Sequence, residues 1–297
     1  MSGCRLVANV PPRSAAAWIA QSRPSAWDTR GVSGLGEKAK TTWDALAPAY
    51  AAAAARPDSL DRLLDFPCQQ RLIGDVGGKR ILDLGCGNGY KPIQFAENGA
   101  AEVVGLDISE PFIAALQTQP TPPNIRWIRA DVADLDCMAE LAEGYFDLVT
   151  VLCASLGPDA ARTMRSIRRL LKPTGALVWT LAHPVRWAVE RSERDDVPVG
   201  RGYQDRSLMS YPSSWDSSVQ VTHPTSRFSD AVNAFAAAGF FIEACEEPEL
   251  SAEQATAFPH KQQWLDKYVG LLAFRARPVD ARPPLDCGVM KSECDWA

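Results

Sequence analysis

The feature that most constrains the fold is a regular alternation of short apolar runs and amphipathic segments in the middle of the chain. Five runs have the length and apolar content of strands buried on both faces: Arg80–Leu84, Glu102–Leu106, Ile125–Arg129, Phe146–Leu152 and Ala176–Leu181. Helical patterns lie between them, at Pro92–Asn98, Glu110–Gln117, Met138–Glu143 and Ala160–Leu171. Because strands joined by helices make right-handed crossovers, this alternation predicts an α/β fold with a doubly wound, mostly parallel sheet.

The segments on either side set the predicted domain boundaries. A helix at 226–238 and strands at 240–245 and 268–275 complete a predicted seven-stranded sheet. Residues 1–38 and 278–297 are rich in small residues and proline without a sustained period, which predicts a flexible N-terminal extension and a C-terminal tail. The folded domain is therefore expected over 39–277, with an irregular, aromatic insertion at about 184–222.

Composition excludes several classes of function. The net charge of −5 gives no general attraction to nucleic acid. The eight cysteines form no CxxC pair or Cys/His cluster, so we expect no metal site and a reduced, cytoplasmic protein. Apolar runs are too short to span a bilayer, so no membrane partner is expected.

A glycine-rich turn follows the first predicted strand, in "DLGCGNG" (Asp83–Gly89). Ligands of open parallel sheets bind beyond the carboxyl ends of the strands, where glycine allows close approach of the backbone. The turn alone is compatible with a nicotinamide, a flavin or no ligand. Its spacing is GxGxG, with Tyr90 where a dinucleotide fingerprint has glycine. Asp83 precedes the glycines, and this carboxylate repels a diphosphate but suits a cationic ligand.

The ordered motifs carry a family resemblance. "LDLGCGNG" followed by "VVGLDIS" resembles the first two motifs of class I S-adenosylmethionine-dependent methyltransferases of the bacterial small-molecule type. "IRADVADL", "FDLVTV" and "LKPTGALVWT" follow in the family's order. The resemblance covers about residues 40 to 277. It implies a Rossmann-like methyltransferase fold with an inserted substrate cap, S-adenosylmethionine as cofactor and S-adenosylhomocysteine as product.

The resemblance also implies the cofactor contacts. Asp83 and the glycine turn correspond to residues that hold the methionine part. Asp107 corresponds to the acid that accepts both ribose hydroxyls, and Asp131 to the one that meets the adenine. Leu152, with Cys153, would border the methyl group. The complete implied set is Tyr50, Asp83, Gly85, Cys86, Gly87, Asn88, Gly89, Asp107, Ile108, Asp131, Val132 and Leu152.

Two histidines are candidates for a general base. His183 follows the fifth strand, and His223 lies in "VTHPTSRF", a loose match to a histidine-containing segment of the family. A helix-capping or structural role is equally compatible with either position. The expected substrate contacts are aromatic, which suits an apolar or planar acceptor: Trp43, Trp187, Tyr203, Tyr211 and Trp215. For Trp43 and Tyr50, anchoring of their segment to the core is an equal alternative.

The sequence therefore predicts methyl transfer to a small-molecule acceptor at oxygen, nitrogen or carbon, in secondary or specialised metabolism. Two alternatives stay open: the same fold and cofactor with a cyclase or decarboxylase reaction, or a non-catalytic protein that binds S-adenosylmethionine. We expect a small-molecule substrate, no nucleic acid and no membrane as partners, and a monomer or homodimer.

Overall fold

The five central strands lie at the predicted apolar runs, whereas the last strand begins at Leu271, three residues later than predicted. The computed structural model describes residues 34–152, 156 and 159–281, to which all statements below refer. The strands are β1 Arg80–Leu84, β2 Glu102–Asp107, β3 Ile125–Arg129, β4 Phe146–Leu152, β5 Leu171–Ala182, β6 Leu208–Pro212, β7 Gln220–Pro224, β8 Phe240–Glu246 and β9 Leu271–Pro278. The helices are α1 Leu35–Ala54, α2 Phe66–Ile73, α3 Tyr90–Glu97, α4 Glu110–Thr118, α5 Ala160–Leu170, α6 Pro184–Asp195, α7 Val199–Gln204, α8 Phe228–Ala237, α9 Ala252–Ala257 and α10 Pro259–Tyr268.

Seven strands form the main sheet, in the order β3-β2-β1-β4-β5-β9-β8. The first five are parallel, and β9 is antiparallel to both β5 and β8. This arrangement confirms the predicted seven-stranded, mostly parallel sheet of the Rossmann-like methyltransferase type. Because β1 lies between β2 and β4, the chain reverses its direction of travel across the sheet at β1. The loop after β1 is therefore at the topological switch point, where open α/β sheets bind ligands.

Both faces of the sheet are covered by helices. Leu82 and Leu84 of β1 belong to the apolar cluster that α5 and α8 cover. Ile81, whose side chain points the other way, belongs to the cluster that α2 and α3 cover. Burial on both faces is the reason that the strands read as continuous apolar runs rather than as alternating ones.

One predicted helix is wrong. Residues 138–143 contain turns and a bend but no helix, and a 3₁₀ helix at Val132–Cys137 lies just before them. The side chain of Asp131 accepts a hydrogen bond from the backbone N–H of Ala133 and thereby fixes the start of this helix. The N-terminal boundary also differs, because α1 begins at Leu35, inside the stretch predicted as an extension. Residues 1–33 lie outside the described part.

The insertion after β5 is ordered, and we call residues 184–224 the cap. It consists of α6, α7 and the antiparallel hairpin β6–β7. Arg191 of α6 is 1% exposed and joins these pieces, donating hydrogen bonds to Asp205, Ser207 and Thr225. These partners are 14 to 34 residues away in the chain, so local periodicity predicted the insertion but not its helices and hairpin. The prediction also missed α9 and α10.

No helix in the described ranges combines the length and the apolar character needed to cross a bilayer.

Candidate functional site

Three glycines shape the loop between β1 and α3. Gly85, Gly87 and Gly89 have φ angles of +76°, +53° and +75°, a region that side chains rarely adopt. Space is also short at Gly89, where an added Cβ would lie 2.3 Å from the side chain of Leu116. The loop is tied to β2, since the N–H of Gly85 donates to the carbonyl of Leu106 at 2.7 Å. The loop backbone is therefore held open toward the carboxyl edge of the sheet, without side chains at three of its positions.

Asp83, the acid before the loop, is only 2% exposed. Its Oδ1 accepts a hydrogen bond from the hydroxyl of Thr150 on β4. Burial raises the pKa of Asp83 to about 7, although the Thr150 hydrogen bond and the nearby charge of Lys91 oppose this effect. Asp83 is therefore partly protonated near neutral pH, and a bound cation would favour its charged form.

Asp107 ends β2 and faces the same loop. Its Oδ2 accepts from the N–H of Gly87 at 2.8 Å, and its Oδ1 accepts from the N–H of Ser109 at 2.9 Å. Burial raises the pKa of this carboxyl, and the two backbone donors oppose the shift. Each carboxylate oxygen has a second lone pair, so Asp107 can accept two further hydrogen bonds from a ligand.

Asp131 follows β3 and lies half-buried beside the first turn of α1. While Oδ1 caps the 3₁₀ helix, Oδ2 lies so close to Gly36 that an added Cβ there would be 2.8 Å away. Val132, directly after Asp131, and Ile108, directly after Asp107, are both half-buried.

Helix α1 crosses the carboxyl ends of the strands. Its Asp44 accepts a hydrogen bond of 2.9 Å from the N–H of Glu110 and so caps the start of α4. Further along, the ring of Tyr50 lies against Gly87, 3.7 Å from where a Cβ would be. From Gly36 to Tyr50, α1 therefore covers the region between Asp131 and the glycine loop.

A cavity lies between the glycine loop, the end of α1 and the start of α3. Its lining is Tyr50, Ala54, Asp61, Asp83, Gly85, Cys86, Gly87, Asn88, Tyr90, Lys91 and Leu152. Seven of these residues were predicted from the sequence, and four were not: Ala54, Asp61, Tyr90 and Lys91. Lys91, in the first turn after the glycines, had a usable sequence signal, whereas Asp61 reaches the cavity only through tertiary structure. Cys153 lies outside the described residues.

The expected substrate aromatics fall into two groups. In the first group, Trp215 lies near the tip of the β6–β7 hairpin and packs on α1. Its ring centroid is 5.0 Å from that of Tyr50 and 5.9 Å from that of Trp43. At the second, inside the cap, Trp187 and Tyr211 surround His223. Tyr203 belongs to neither group, because its hydroxyl accepts from the N–H of Phe228 and joins α7 to α8.

His223 is half-buried and has a defined tautomer. Its Nδ1 is 2.9 Å from the carbonyl of Pro224, and because a carbonyl only accepts, Nδ1 carries the proton. The lone pair of Nε2 therefore faces the hydroxyl of Tyr211 at 3.4 Å. Trp187 covers the ring, with centroids 4.4 Å apart. Burial lowers the pKa of His223, which favours the neutral form with a basic Nε2.

His183 has a different environment. Its Nδ1 accepts from the N–H of Val185 at 3.2 Å, which caps α6. Its Nε2 therefore carries the proton and donates to Glu247 Oε1 at 2.8 Å. Both ring nitrogens are engaged within the protein, so this geometry provides no lone pair for a substrate proton.

Comparison with known proteins identifies the family of this site. Residues 81–175 match the family described as "Methyltransferase domain". This span contains the glycine loop together with Asp83, Asp107 and Asp131. The chain contains a class I S-adenosylmethionine-dependent methyltransferase domain.

The methyltransferase is similar to several known proteins. A solved S-adenosylmethionine-dependent methyltransferase from Mesorhizobium loti is 26% identical, with a TM-score of 0.56 over 72% of this chain and 97% of that one. An uncharacterised Haemophilus influenzae protein is 27% identical over 78% of this chain and 88% of its own length. A ubiquinone biosynthesis O-methyltransferase from Neisseria meningitidis is 32% identical, but the match spans only 36% of this chain and 45% of that enzyme.

S-adenosylmethionine is the cofactor of the methyltransferase. The residues present fit this group. The loop's three glycines carry no side chains, so a ligand can approach the backbone of the loop closely. Asp107 retains acceptor capacity for two hydroxyls, and Asp83 supplies a buried acid for an ammonium group.

Proposed function

We propose that this methyltransferase methylates a planar small molecule that binds between α1 and the cap. The contact of Tyr50 with Trp215 carries the proposal, because it joins the cap to α1 directly above the glycine loop. A site walled on two sides admits a small acceptor more readily than a polymer. Trp43 and Trp215 would supply flat apolar surfaces to an aromatic ring.

We assign the cofactor contacts as follows. Asp107 accepts the two ribose hydroxyls, and Asp131 accepts the exocyclic amine of the adenine, with Ile108 and Val132 packing beside the ring. Asp83 and the loop at 85–89 hold the methionine part, and Leu152 borders the methyl group. When bound, S-adenosylmethionine supplies a methyl group on a positively charged sulfur. These contacts align that group with the acceptor, which is the main requirement for an in-line displacement.

The proposed domain organisation follows the predicted boundaries. The methyltransferase domain spans 39–277 with its cap insertion at about 184–222, flanked by an extension at 1–38 and a tail at 278–297. Helix α1 begins at Leu35, so residues 35–38 of the predicted extension form the start of this helix.

His223 is the proposed general base. Its Nε2 lone pair and lowered pKa keep it ready to accept a proton at neutral pH. A phenolic hydroxyl needs such a base, because the phenolate is the stronger nucleophile. Tyr211 would hold the ring through its hydroxyl until an acceptor replaces that contact. The name of the Neisseria enzyme, an O-methyltransferase, agrees with attack by oxygen. His183 is proposed as a helix cap rather than as a base.

Transfer of a labelled methyl group tests the proposal. The protein is incubated with methyl-labelled S-adenosylmethionine and with phenols, amines, carbon acids, DNA, RNA and peptides in separate reactions. Label in a phenol supports the proposal, and label in a polymer contradicts it. Cofactor binding without transfer to any acceptor would favour a cyclase or decarboxylase reaction, or a non-catalytic role. A gene neighbourhood rich in biosynthetic enzymes would support the proposed place in specialised metabolism.

A further inference from the structure

An ion pair in the cofactor cavity is not explained by the motifs. Nζ of Lys91 lies 2.7 Å from Oδ1 of Asp61, and the two side chains are only 12% and 19% exposed. Lys91 belongs to the first turn of α3, whereas Asp61 begins a π-helical turn at Asp61–Asp65 before α2. Both residues line the same cavity as Asp83.

The contact between these two segments does not depend on the ion pair alone. Arg62 lies over the ring of Tyr90 at 4.2 Å from its centroid, and Phe66 packs against the same ring at 5.5 Å. These contacts already join the π-helical turn to the start of α3. Within this junction, the charged pair and Tyr90 line the cavity, whereas Arg62 and Phe66 do not belong to its lining.

The charges match an amino-acid zwitterion. Lys91 is a cation between two acids, since it pairs with Asp61 and its charge also acts on Asp83. A methionine group carries a carboxylate and an ammonium on one carbon atom. Such a group needs a cation and an anion a few ångströms apart, as the cavity provides.

We propose that Lys91 binds the carboxylate of the cofactor's methionine part, while Asp61 and Asp83 receive its ammonium group. This inference rests on the cofactor site proposed above. Asp61 holds Lys91 toward the cavity, so the lysine is oriented before the cofactor binds. The three residues thereby select a complete amino-acid end and discriminate against nucleosides that lack it.

Calorimetry with two ligands tests this inference. S-adenosylhomocysteine contains the zwitterion, and 5′-methylthioadenosine lacks it. A charged hydrogen bond is worth about 10- to 100-fold in affinity. We therefore expect Lys91→Met to lower the affinity for S-adenosylhomocysteine by about that factor. Its affinity for 5′-methylthioadenosine is expected to stay within about twofold. Lys172→Met is the matched control, because it removes a lysine that pairs with Asp147 near the amino-terminal ends of the strands, away from the cavity.

The outcomes separate the possible failures. Unchanged binding of S-adenosylhomocysteine by Lys91→Met, or an equal loss for both ligands, overturns the role of Lys91. Failure of the wild-type protein to bind either ligand would instead overturn the proposed cofactor site. If Lys91→Met does not fold, the wild-type protein alone still decides. It should bind decarboxylated S-adenosylhomocysteine at least about tenfold more weakly than the intact compound, and equal affinities overturn the inference.

Discussion

The carboxylate of Asp107 accepts a hydrogen bond of 2.8 Å from the backbone N–H of Gly87. This contact joins the end of β2 to the loop after β1, so the acid and the glycine loop form one rigid unit. A second backbone donor, from Ser109, holds the other oxygen. The carboxylate is therefore oriented by the protein before any ligand binds.

Replacing Asp107 by Asn is expected to weaken binding of S-adenosylhomocysteine. The amide presents a donor in place of one acceptor oxygen, and it loses the charge that strengthens hydrogen bonds from hydroxyls. The loss of one such bond and the weakening of the other predict about a 100-fold lower affinity by calorimetry. Asp136→Asn, at an exposed acid paired with Arg162, is the control and should bind normally. An unchanged affinity of Asp107→Asn would remove this residue from the cofactor site.

Asp83→Asn is expected to stabilise the ligand-free protein at alkaline pH. Burial raises the folded-state pKa to about 7, whereas an ordinary aspartate titrates near 3.8. The folded state therefore binds more protons between these values, and the free energy of unfolding falls as pH rises through this window, by at most about 1.4 kcal/mol per pH unit. Asparagine keeps the acceptor for Thr150 but removes the charge.

Thermal unfolding of both proteins at pH 5 and pH 8 measures this effect. The variant should have the higher Tm at pH 8, and the difference should shrink at pH 5. The same variant should bind S-adenosylhomocysteine more weakly, because it lacks the charge for the ammonium group. A Tm difference that does not depend on pH would contradict the raised pKa.

His223→Ala is expected to lower turnover of a phenolic acceptor while cofactor affinity holds. General base catalysis contributes about 10²- to 10⁴-fold, which sets the expected loss. Because burial lowers the pKa of His223, the wild-type rate should fall only below about pH 6.5, and this acid limb should be absent in the variant. Steady-state kinetics across pH measures both effects. His260→Ala, at an exposed histidine, is the control, and equal turnover of the two variants would exclude His223 from the mechanism.

Trp215→Ala is expected to raise the KM for the acceptor and leave cofactor affinity nearly unchanged. The variant loses two aromatic contacts between the cap and α1, worth about 0.5–1.5 kcal/mol each. An increase of about tenfold in KM follows, with faster hydrogen exchange in α1. Phe228→Ala replaces a similarly exposed aromatic residue on α8 and should alter neither quantity. A KM equal to that of the wild-type protein would show that the acceptor does not depend on this contact.

Local sequence was sufficient to predict the central strands of the sheet and the glycine loop. The bounds of β1, β3 and β4 agree with the buried apolar runs, because strands covered on both faces need apolar side chains at successive positions. The turn at the three glycines was also predictable from local sequence, because each glycine has a positive φ that other residues avoid. Helices were predicted less accurately, since residues 138–143 form no helix.

The internal structure of the cap and the charged end of the cavity were not predictable in this way. Arg191 orders the cap through partners distant in the chain, and Asp61 meets Lys91 thirty residues later. Neither arrangement leaves a period in the sequence, because long-range hydrogen bonds and ion pairs require no repeated spacing.

The two histidines show where the boundary lies between sequence and structure. Each precedes a proline, and the sequence by itself made both of them candidates for the base. The tertiary structure separates them, because Glu247 and the start of α6 occupy both nitrogens of His183, whereas His223 keeps a lone pair toward Tyr211. The sequence by itself determined the sheet, the loop and the methyl donor, since these depend on burial and backbone conformation along short segments. Only the tertiary structure decided which side chains face the site, because contacts between distant segments set the orientation of each ring and charge.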